Sequence, residues 1–249
     1  MRRLTRSVAV AVALVLGVAS AATAASITFT GAGGIGSLGN SLVFGPVSGV
    51  TVTASAWYLE NYLGTGSDDN FAIAALGQYS GGLGVCTPDE EYGDNSPFND
   101  CSSPAHAVNN RYDQDFVLFV FSQPVDLVQL TLGWYSGDRD VSWWRGNGAL
   151  TGLAGIDFDD LALNGFLSMQ TSDNSSTIAL DGASSTFTRL LVAGALDDSG
   201  DLDDSFKISS VQFNTPEIAS VPEPASLVLL GLGLVGVAAV RRRALSRTT

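Results

Sequence analysis

The sequence is poor in the residues that most often carry catalysis. Its 249 residues include one histidine, His106, and two cysteines, Cys86 and Cys101. A histidine-rich metal centre is therefore excluded, and a triad of the Ser-His-Asp type has only His106 to use. The chain contains no Gly-x-Ser-x-Gly turn to expose a nucleophilic serine. His106 lies two residues after Pro104, which favours a hydrogen-bonding loop residue over a catalyst. We predict that the protein is not an enzyme.

Basic residues are scarce in the middle of the chain. Residues 26–220 contain 24 acidic and 5 basic residues, so the net charge of this segment is −19. Nucleic acids and anionic lipid surfaces attract the opposite charge, so we predict no nucleic-acid partner. A strong negative charge is typical of a soluble extracellular protein and of one that meets divalent cations.

Long apolar runs occur only near the two ends. At the N-terminal end, Arg2, Arg3 and Arg6 precede an apolar run over residues 8–18 and a small-residue stretch over residues 19–25. This order predicts a signal peptide over residues 1–25, with cleavage after Ala24 or Ala25, that uses the Sec translocon and signal peptidase. A retained anchor is the alternative, but the run is short for a membrane span.

The second apolar run is residues 225–240, which are all apolar or small except Ser226. Its 16 residues (240 − 225 + 1) rise about 24 Å as a helix, slightly less than a hydrocarbon core of ~30 Å. The flanking residues can close such a gap. Arg241, Arg242 and Arg243 then stop the chain on the cytoplasmic side. We predict a transmembrane helix that holds the body outside the cytoplasmic membrane.

Three residues before this run, Pro222, Glu223 and Pro224, form a rigid charged segment. Each proline disfavours helix for the residue before it, so the tripeptide is predicted to be extended and exposed. Such a segment suits recognition by a membrane enzyme, although proline at a helix start would also explain it. From the residues alone, both interpretations stay open.

The order of these elements resembles the PEP-CTERM sorting signal. The resemblance rests on "VPEP" (Val221 to Pro224), the short Gly- and Leu-rich span and the arginine cluster, and it covers residues 221–245. It implies processing by exosortase, a membrane transpeptidase of Gram-negative, matrix-forming bacteria, with Pro222–Pro224 as the recognition element. It also implies that the tail is removed and that the body reaches the cell surface or an exopolysaccharide matrix.

The body between the two ends shows the patterns of strands. "GVTVTASAWY" (Gly49–Tyr58) alternates apolar and polar residues, and "DFVLFVF" (Asp115–Phe121) is a continuous apolar run typical of a central strand covered on both faces. "VDLVQLTLGWY", "DVSWWRG", "STFTRLLVAGAL" and "FKISSVQFN" continue the pattern, whereas Leu153–Met169 has apolar spacing that also suits a helix. We predict an all-β fold, a single jelly-roll-like β-sandwich over residues 26–220.

The two cysteines flank an acidic, turn-rich loop, "CTPDEEYGDNSPFNDC". An even number of cysteines in an exported chain predicts a disulfide between Cys86 and Cys101. In the chain-entropy model a loop of this size gains about 3 kcal/mol of stability from the bond. Because no Cys-x-x-Cys motif is present, the predicted role is structural.

A second resemblance covers three segments of the body: "GLGVC" (Gly82–Cys86), "SPAHAVNNRYDQDFVLFVF" (Ser103–Phe121) and "VQLTLGWYSGDRDVSWWRG" (Val128–Gly146). They look like a group of exosortase-dependent surface proteins with the same order of a glycine-rich element, a Ser-Pro-x-His loop and two strands. This chain departs from the group at Asn109, where aspartate is expected, which weakens the case for an ion in that loop. The resemblance implies no activity.

An acidic stretch, "LDDSGDLDDSF", contains Asp197, Asp198, Asp201, Asp203 and Asp204. Dense oxygen ligands hold Ca²⁺ outside cells, which makes this stretch a candidate Ca²⁺ site. The spacing does not match an EF-hand, because the sixth position from Asp197 is Leu202 and the twelfth is Ile208. The alternative is a solvated loop between two strands.

Two adjacent tryptophans, Trp143 and Trp144, are candidates for stacking on a sugar ring. Neighbouring residues of a strand face opposite sides, so one of the two rings is expected outside the core. Packing of that ring under a neighbouring loop is the commoner alternative to an exposed ring. Exopolysaccharide is then a candidate partner, with the body acting structurally or binding glycan. A secreted hydrolase of matrix polysaccharide is the alternative. An ice-binding surface is a further alternative, with Thr51 and Thr53 as the clear Thr-x-Thr pair.

Overall fold

The computed structural model describes residues 24–31, 39–59, 69–87, 106–110, 113–180, 185–196 and 204–216, with residues 231, 233 and 234 near the C-terminal end. Within these ranges the chain forms thirteen strands in one connected sheet and a single 3₁₀ turn, Phe158–Leu161. The strands are β1 (Ala25–Thr28), β2 (Ser41–Val47), β3 (Val50–Leu59), β4 (Ala72–Ile73), β5 (Ala75–Tyr79), β6 (Gly82–Cys86), β7 (Val108–Asn109), β8 (Gln114–Tyr135), β9 (Val141–Gly146), β10 (Gln170–Ser172), β11 (Thr177–Ala179), β12 (Phe187–Gly194) and β13 (Ser205–Asn214). The predicted all-β class is confirmed.

Strand β8 organises the sheet because each of its two halves pairs with different strands. We call these sets of strands the first and the second strand group. Its first half pairs antiparallel with β3 on one side and β12 on the other, with Phe119 opposite both Ala54 and Leu190. Its second half pairs antiparallel with β13 and β11, with Leu130 opposite both Val211 and Ile178. The sequence pattern predicted two separate strands here, whereas the chain continues as one strand of 22 residues.

The change of partners occurs at an exposed corner. Ser122, Gln123 and Pro124 are exposed, and the register of β12 against β8 shifts there, from Val125 opposite Phe187 to Val120 opposite Arg189. Proline cannot donate a hydrogen bond to a sheet, so it is tolerated where the pairing is interrupted. The polar corner therefore lets the strand pass from one group of partners to the other.

Residues from both strand groups share the main hydrophobic core. Val52, Phe119 and Val192 from the first group are buried in the same cluster as Leu130 and Val211 from the second. Aromatic contacts bridge the groups: the rings of Phe29 and Phe119 stack at 5.1 Å, and those of Phe121 and Phe213 meet edge to face at 5.8 Å. One face of the first strand group is therefore buried against one face of the second.

A second apolar cluster covers the opposite face of the first group. It contains Phe116 and Leu118 of β8, Trp57 of β3 and Trp144 of β9. The ring of Phe116 meets that of Phe71 edge to face at 4.9 Å. The prediction that Asp115–Phe121 is covered on both faces is confirmed, since Phe116 to Phe119 are all fully buried.

The segment that covers this second cluster is mostly irregular, so the helical interpretation of Leu153–Met169 is wrong apart from the 3₁₀ turn. Leu153, Leu161 and Phe166 are buried, but the backbone bonds to other parts of the chain, as in Leu167 N to Arg145 O at 2.8 Å. Gly165 has a φ of +87°, which a helix cannot accommodate. The apolar spacing reflects anchoring on the sheet rather than one helical face.

Residues 231, 233 and 234 are helical and exposed. No helix within the ranges that the structure describes is long and apolar enough to span a bilayer. The predicted signal peptide lies almost wholly, and the predicted transmembrane helix largely, outside the described residues.

The two-sided burial of β8 generates a stability prediction. Phe116→Ala and Phe119→Ala remove rings that are fully buried on opposite faces, so each is expected to lower the free energy of unfolding by about 3–5 kcal/mol. Val43→Ala is the control, because Val43 is 71% exposed and its truncation is expected to change the free energy by less than about 0.5 kcal/mol. Urea unfolding of the exported body measures all three. A loss below about 1 kcal/mol for Phe116→Ala would contradict a second packed cluster.

Candidate functional site

Asp204, at the start of β13, is a buried carboxylate held by hydrogen bonds. It is 2% exposed. Its Oδ2 accepts hydrogen bonds from Asn110 Nδ2 at 2.7 Å and from Ala195 N at 3.0 Å, and its Oδ1 accepts one from Asp140 N at 2.7 Å. Asp204 therefore links the residue after β7, the end of β12 and the turn between β8 and β9.

Two further carboxylates face Asp204 from that turn. Asp138, Asp140 and Asp204 each offer an oxygen, and these oxygens lie within 4.8 Å of one another. Asp138 accepts a hydrogen bond from Arg139 N at 2.7 Å, and Asp140 accepts one from Asn174 N. A short bridge pairs Asp138 with Asp204. The three residues form what we call the acidic cluster.

The strand pairing explains why these residues meet. Phe206 of β13 lies opposite both Tyr135 at the end of β8 and Val108 of β7. The turn after Tyr135 therefore lies beside the residue that follows β7 and the start of β13. Two of the three segments that carry the second resemblance, those with Asn110 and with Asp138 and Asp140, contribute directly to this site.

Burial governs the protonation of Asp204. Loss of water around the carboxylate raises the pKa of Asp204 to about 7, and the negative charges of Asp140 and Asp138 act in the same direction. The backbone N–H groups of Asp140 and Ala195 donate to the carboxylate and oppose this rise. Protonation of Asp204 removes its own repulsion with Asp138 and Asp140.

The carboxylates of the acidic cluster suit two chemical roles, cation binding and general-acid catalysis. Three carboxylates at this spacing offer oxygen ligands to a divalent cation. A raised pKa would also suit a general acid, but Asp204 is almost fully buried and its oxygens already accept three N–H bonds. A substrate has no access to such a group, so the geometry favours a structural clasp over catalysis.

The predicted Ca²⁺ stretch overlaps this site at one residue. Asp204 belongs to the acidic cluster, whereas Asp197, Asp198, Asp201 and Asp203 lie outside the described residues, so Ca²⁺ binding by that stretch stays a prediction. The sequence reasoning missed Asp138 and Asp140. The available signal was the Gly-Asp-x-Asp run directly after the Gly-Trp strand, where a turn presents two carboxylates.

Of the three other predicted residues near the glycine-rich segment and the loop, the structure describes Cys86 and His106 but not Cys101. Cys86 is buried and takes part in a disulfide bond. Cys101 lies outside the described residues, so its pairing with Cys86 stays a prediction. His106 is half-buried, next to β7.

One of the two adjacent tryptophans lies outside the main core, and it packs under a neighbouring segment rather than facing solvent. Trp143 and Trp144 do point to opposite faces of β9, but they are only 7% and 5% exposed. Trp143 packs in the main core, and Trp144 packs in the second cluster beneath the segment 147–169. Both faces of the strand are covered, so neither ring is available for stacking on a sugar.

The exposed aromatic residues lie instead at the end of β8. Trp134 is 41% exposed and Tyr135 is 46% exposed. Cations lie over both rings: Lys207 Nζ is 5.0 Å from the centre of the Trp134 ring, and Arg139 Cζ is 4.1 Å from that of Tyr135. Burial lowers the pKa of Lys207 to about 8. Lys207 is only 2% exposed and lies closer to the ring of Tyr79, at 3.9 Å.

Comparison with protein-family models identifies the class of signal that the chain carries. Residues 220–243 match the PEP-CTERM protein-sorting motif. The chain thus carries this sorting motif, as the resemblance of residues 221–245 implied. No curated protein and no solved structure matches the chain. The motif implies exosortase-dependent export, transient membrane anchoring and sorting to the surface.

The matched range contains the predicted recognition and stop residues. Val221, Pro222, Glu223 and Pro224 fall at its start, and Arg241, Arg242 and Arg243 fall at its end. All seven lie outside the described residues. Their individual roles therefore stay predictions.

The raised pKa of Asp204 predicts how stability depends on pH. The folded state keeps the Asp204 proton up to about pH 7, whereas the unfolded state loses it near the ordinary value of 3.8. Between these values the folded state binds more protons, so this group's contribution to the free energy of unfolding falls as pH rises. The advantage of wild type over Asp204→Asn should be largest near pH 4.

Urea midpoints measured between about pH 4 and pH 8, with a chelator present, test this expectation. Asp159→Asn is the matched control, because Asp159 is exposed in the 3₁₀ turn and away from the acidic cluster. This variant should follow the wild-type pH profile. A constant difference between wild type and Asp204→Asn across the range would show that Asp204 is ionised in the folded protein throughout.

Proposed function

We propose that the body of this protein is a non-enzymatic surface or matrix module that associates with exopolysaccharide after exosortase has removed its tail. The observation that carries the proposal is the PEP-CTERM motif at residues 220–243, whose function is exosortase-dependent surface sorting. Pro222, Glu223 and Pro224 would be the recognition element, and the arginines after the span would hold the precursor in the cytoplasmic membrane.

A stable β-sandwich suits a structural role at the surface. Its support is the common core, in which Phe119 of one strand group stacks on Phe29 and Phe121 meets Phe213 of the other group. The clasp of Asp204 and the disulfide at Cys86 fix loops at the ends of strands.

A glycan contact at Trp134 and Tyr135 is the form of matrix association that the surface favours. Aromatic side chains supply flat apolar area at low entropy cost, and both rings are more than two-fifths exposed. Arg139 lies against Tyr135, whereas Lys207 is only 2% exposed and lies between the rings of Trp134 and Tyr79. A sugar polymer that presents the flat faces of its rings fits these two exposed aromatic side chains.

Replacement of Pro222, Glu223 and Pro224 by alanine tests the sorting function. The variant keeps the apolar span and the arginines but loses the rigid charged segment. Unprocessed protein is expected to accumulate in the cytoplasmic membrane, heavier by the mass of the tail, and to disappear from the surface fraction. Cell fractionation with intact-mass measurement checks both.

The chain offers a matched control for this variant. Pro216 and Glu217 form a second Pro-Glu pair just before the matched range. The double variant Pro216→Ala/Glu217→Ala should be processed as wild type. Normal processing of the triple-alanine variant would refute the role of Pro222–Pro224.

The glycan contact is tested by Trp134→Ala. Loss of a stacking ring worth about 0.5–1.5 kcal/mol is expected to weaken binding of the exported body to purified exopolysaccharide by about 2- to 12-fold. Leu167→Ala is the control, because Leu167 is 51% exposed and bonds to Arg145, near the end of β9 opposite to the turn that follows Tyr135. Affinity electrophoresis or calorimetry measures the change. Wild-type protein that does not bind the polysaccharide would contradict the proposed association.

A further inference from the structure

Both ends of the body lie at the same end of the sheet. Strand β1 begins at Ala25, which is paired with Phe213 near the end of β13. Strand β13 ends at Asn214, which lies opposite Asp126 of β8. The chain that precedes the body and the chain that leads to the sorting motif therefore join it at neighbouring points.

The polar corner of β8 lies at this same end. Asn214 Nδ2 donates a hydrogen bond to Asp126 Oδ2 at 3.1 Å, which fixes the last residue of β13 beside the corner. The exposed residues of the corner, Ser122 to Pro124, immediately precede Val125 and Asp126. We call Ala25, the corner Ser122–Asp126 and Asn214 the exit pole.

The acidic cluster lies at the opposite end of the same strands. Phe206 at the start of β13 pairs with Tyr135, and Ser136 N donates to Ser205 O at 2.9 Å, directly beside Asp204 and Asp138. The ten residues of β13 separate the two ends by about 30 Å, at 3.3 Å per residue. The acidic cluster and the exit pole thus lie at opposite ends of β13.

The length of the connecting chain limits how far the body can move from the motif. Ala225, where the predicted span begins, follows Asn214 by eleven residues (225 − 214), and eleven residues reach at most about 36–40 Å when fully extended. To turn the far end of the body toward the membrane, this connection would have to run the length of β13, about 30 Å, and also pass around the side of the body. That path uses nearly the whole reach, so the short connection favours the exit pole as the end nearest the membrane.

We propose that, while the tail is still in the membrane, the body stands with its exit pole toward the lipid surface and its acidic cluster away from it. The proposal rests on the proposed function, because it requires that the tail anchors the precursor. The supporting observations are that Ala25 and Asn214 lie at one end of β13 and that only eleven residues connect Asn214 to the predicted span.

The orientation has a consequence for processing. Exosortase would meet the exit pole while it acts on Pro222–Pro224, and the chain before Ala25 enters the body at the same end. The two predicted processing points of the precursor therefore lie on one side of the body. The rest of the surface, including Trp134 and Tyr135 at the far end of β8, stays accessible from outside.

Fluorescence resonance energy transfer, from a donor on the body to an acceptor dye at the membrane surface, tests the orientation. The full chain is purified from cells that lack exosortase and is reconstituted in vesicles of phosphatidylethanolamine and phosphatidylglycerol that carry a head-group acceptor dye. A donor fluorophore is introduced at Gln123 or at Ser136 through an unnatural amino acid, which leaves both cysteines untouched. Gln123 and Ser136 are both exposed, the first at the exit pole and the second at the far end.

Transfer is expected to be clearly higher from Gln123 than from Ser136. Insertion of a long flexible Gly-Ser segment after Pro216 should reduce this difference, because it removes the constraint of the short connection. Equal transfer from the two positions, or higher transfer from Ser136, would overturn the proposed orientation. A chain that does not float with the vesicles would contradict the anchoring itself. Processing in cells with exosortase, followed by intact mass, reports on the proposed function separately.

Discussion

The continuity of β8 through the polar corner is the constraint on which the rest of the structure depends. One strand supplies the centre of both strand groups, so the position of every partner is set by its register against β8. The corner turns the strand back, and apolar residues on either side of it, such as Phe119 and Leu130, meet in one core. Because the strand changes partners rather than ending, no separate connection has to hold the two groups together.

The two-sided burial of the first half of β8 also accounts for the segment 147–169. A strand with apolar residues on both faces must be covered twice. The main core covers one face, and Leu153, Leu161 and Phe166 cover the other. The buried guanidinium of Arg189 stabilises the cover at one edge, since its Nε donates to Leu150 O at 2.7 Å. An irregular segment with apolar anchors is enough for this purpose.

The pairing and two-sided burial of β8 explain which features of the fold the sequence predicts and which it does not. Local patterns predicted the class and most strands, because alternation and apolar runs reflect burial directly; Val50, Val52, Ala54 and Ala56 all lie in the main core. The patterns did not predict that "DFVLFVF" and "VDLVQLTLGWY" are one strand, because the polar corner between them looks like a turn. Trp144 is buried by the segment 147–169, which follows it directly but has to fold back over the sheet to cover it, so the alternation within the strand does not reveal this burial.

The acidic cluster shows the same limit at the level of a site. Asp204 was singled out as one of five aspartates in a run, but its actual neighbours are Asp138 and Asp140, more than sixty residues earlier. They meet because β13 pairs with the second half of β8, which is a property of the register and not of the acidic run. The same register determines that β13 ends beside the corner and beside Ala25. One pairing therefore places the acidic cluster, with the buried Asp204, at one end of the body and the route to the sorting motif at the other.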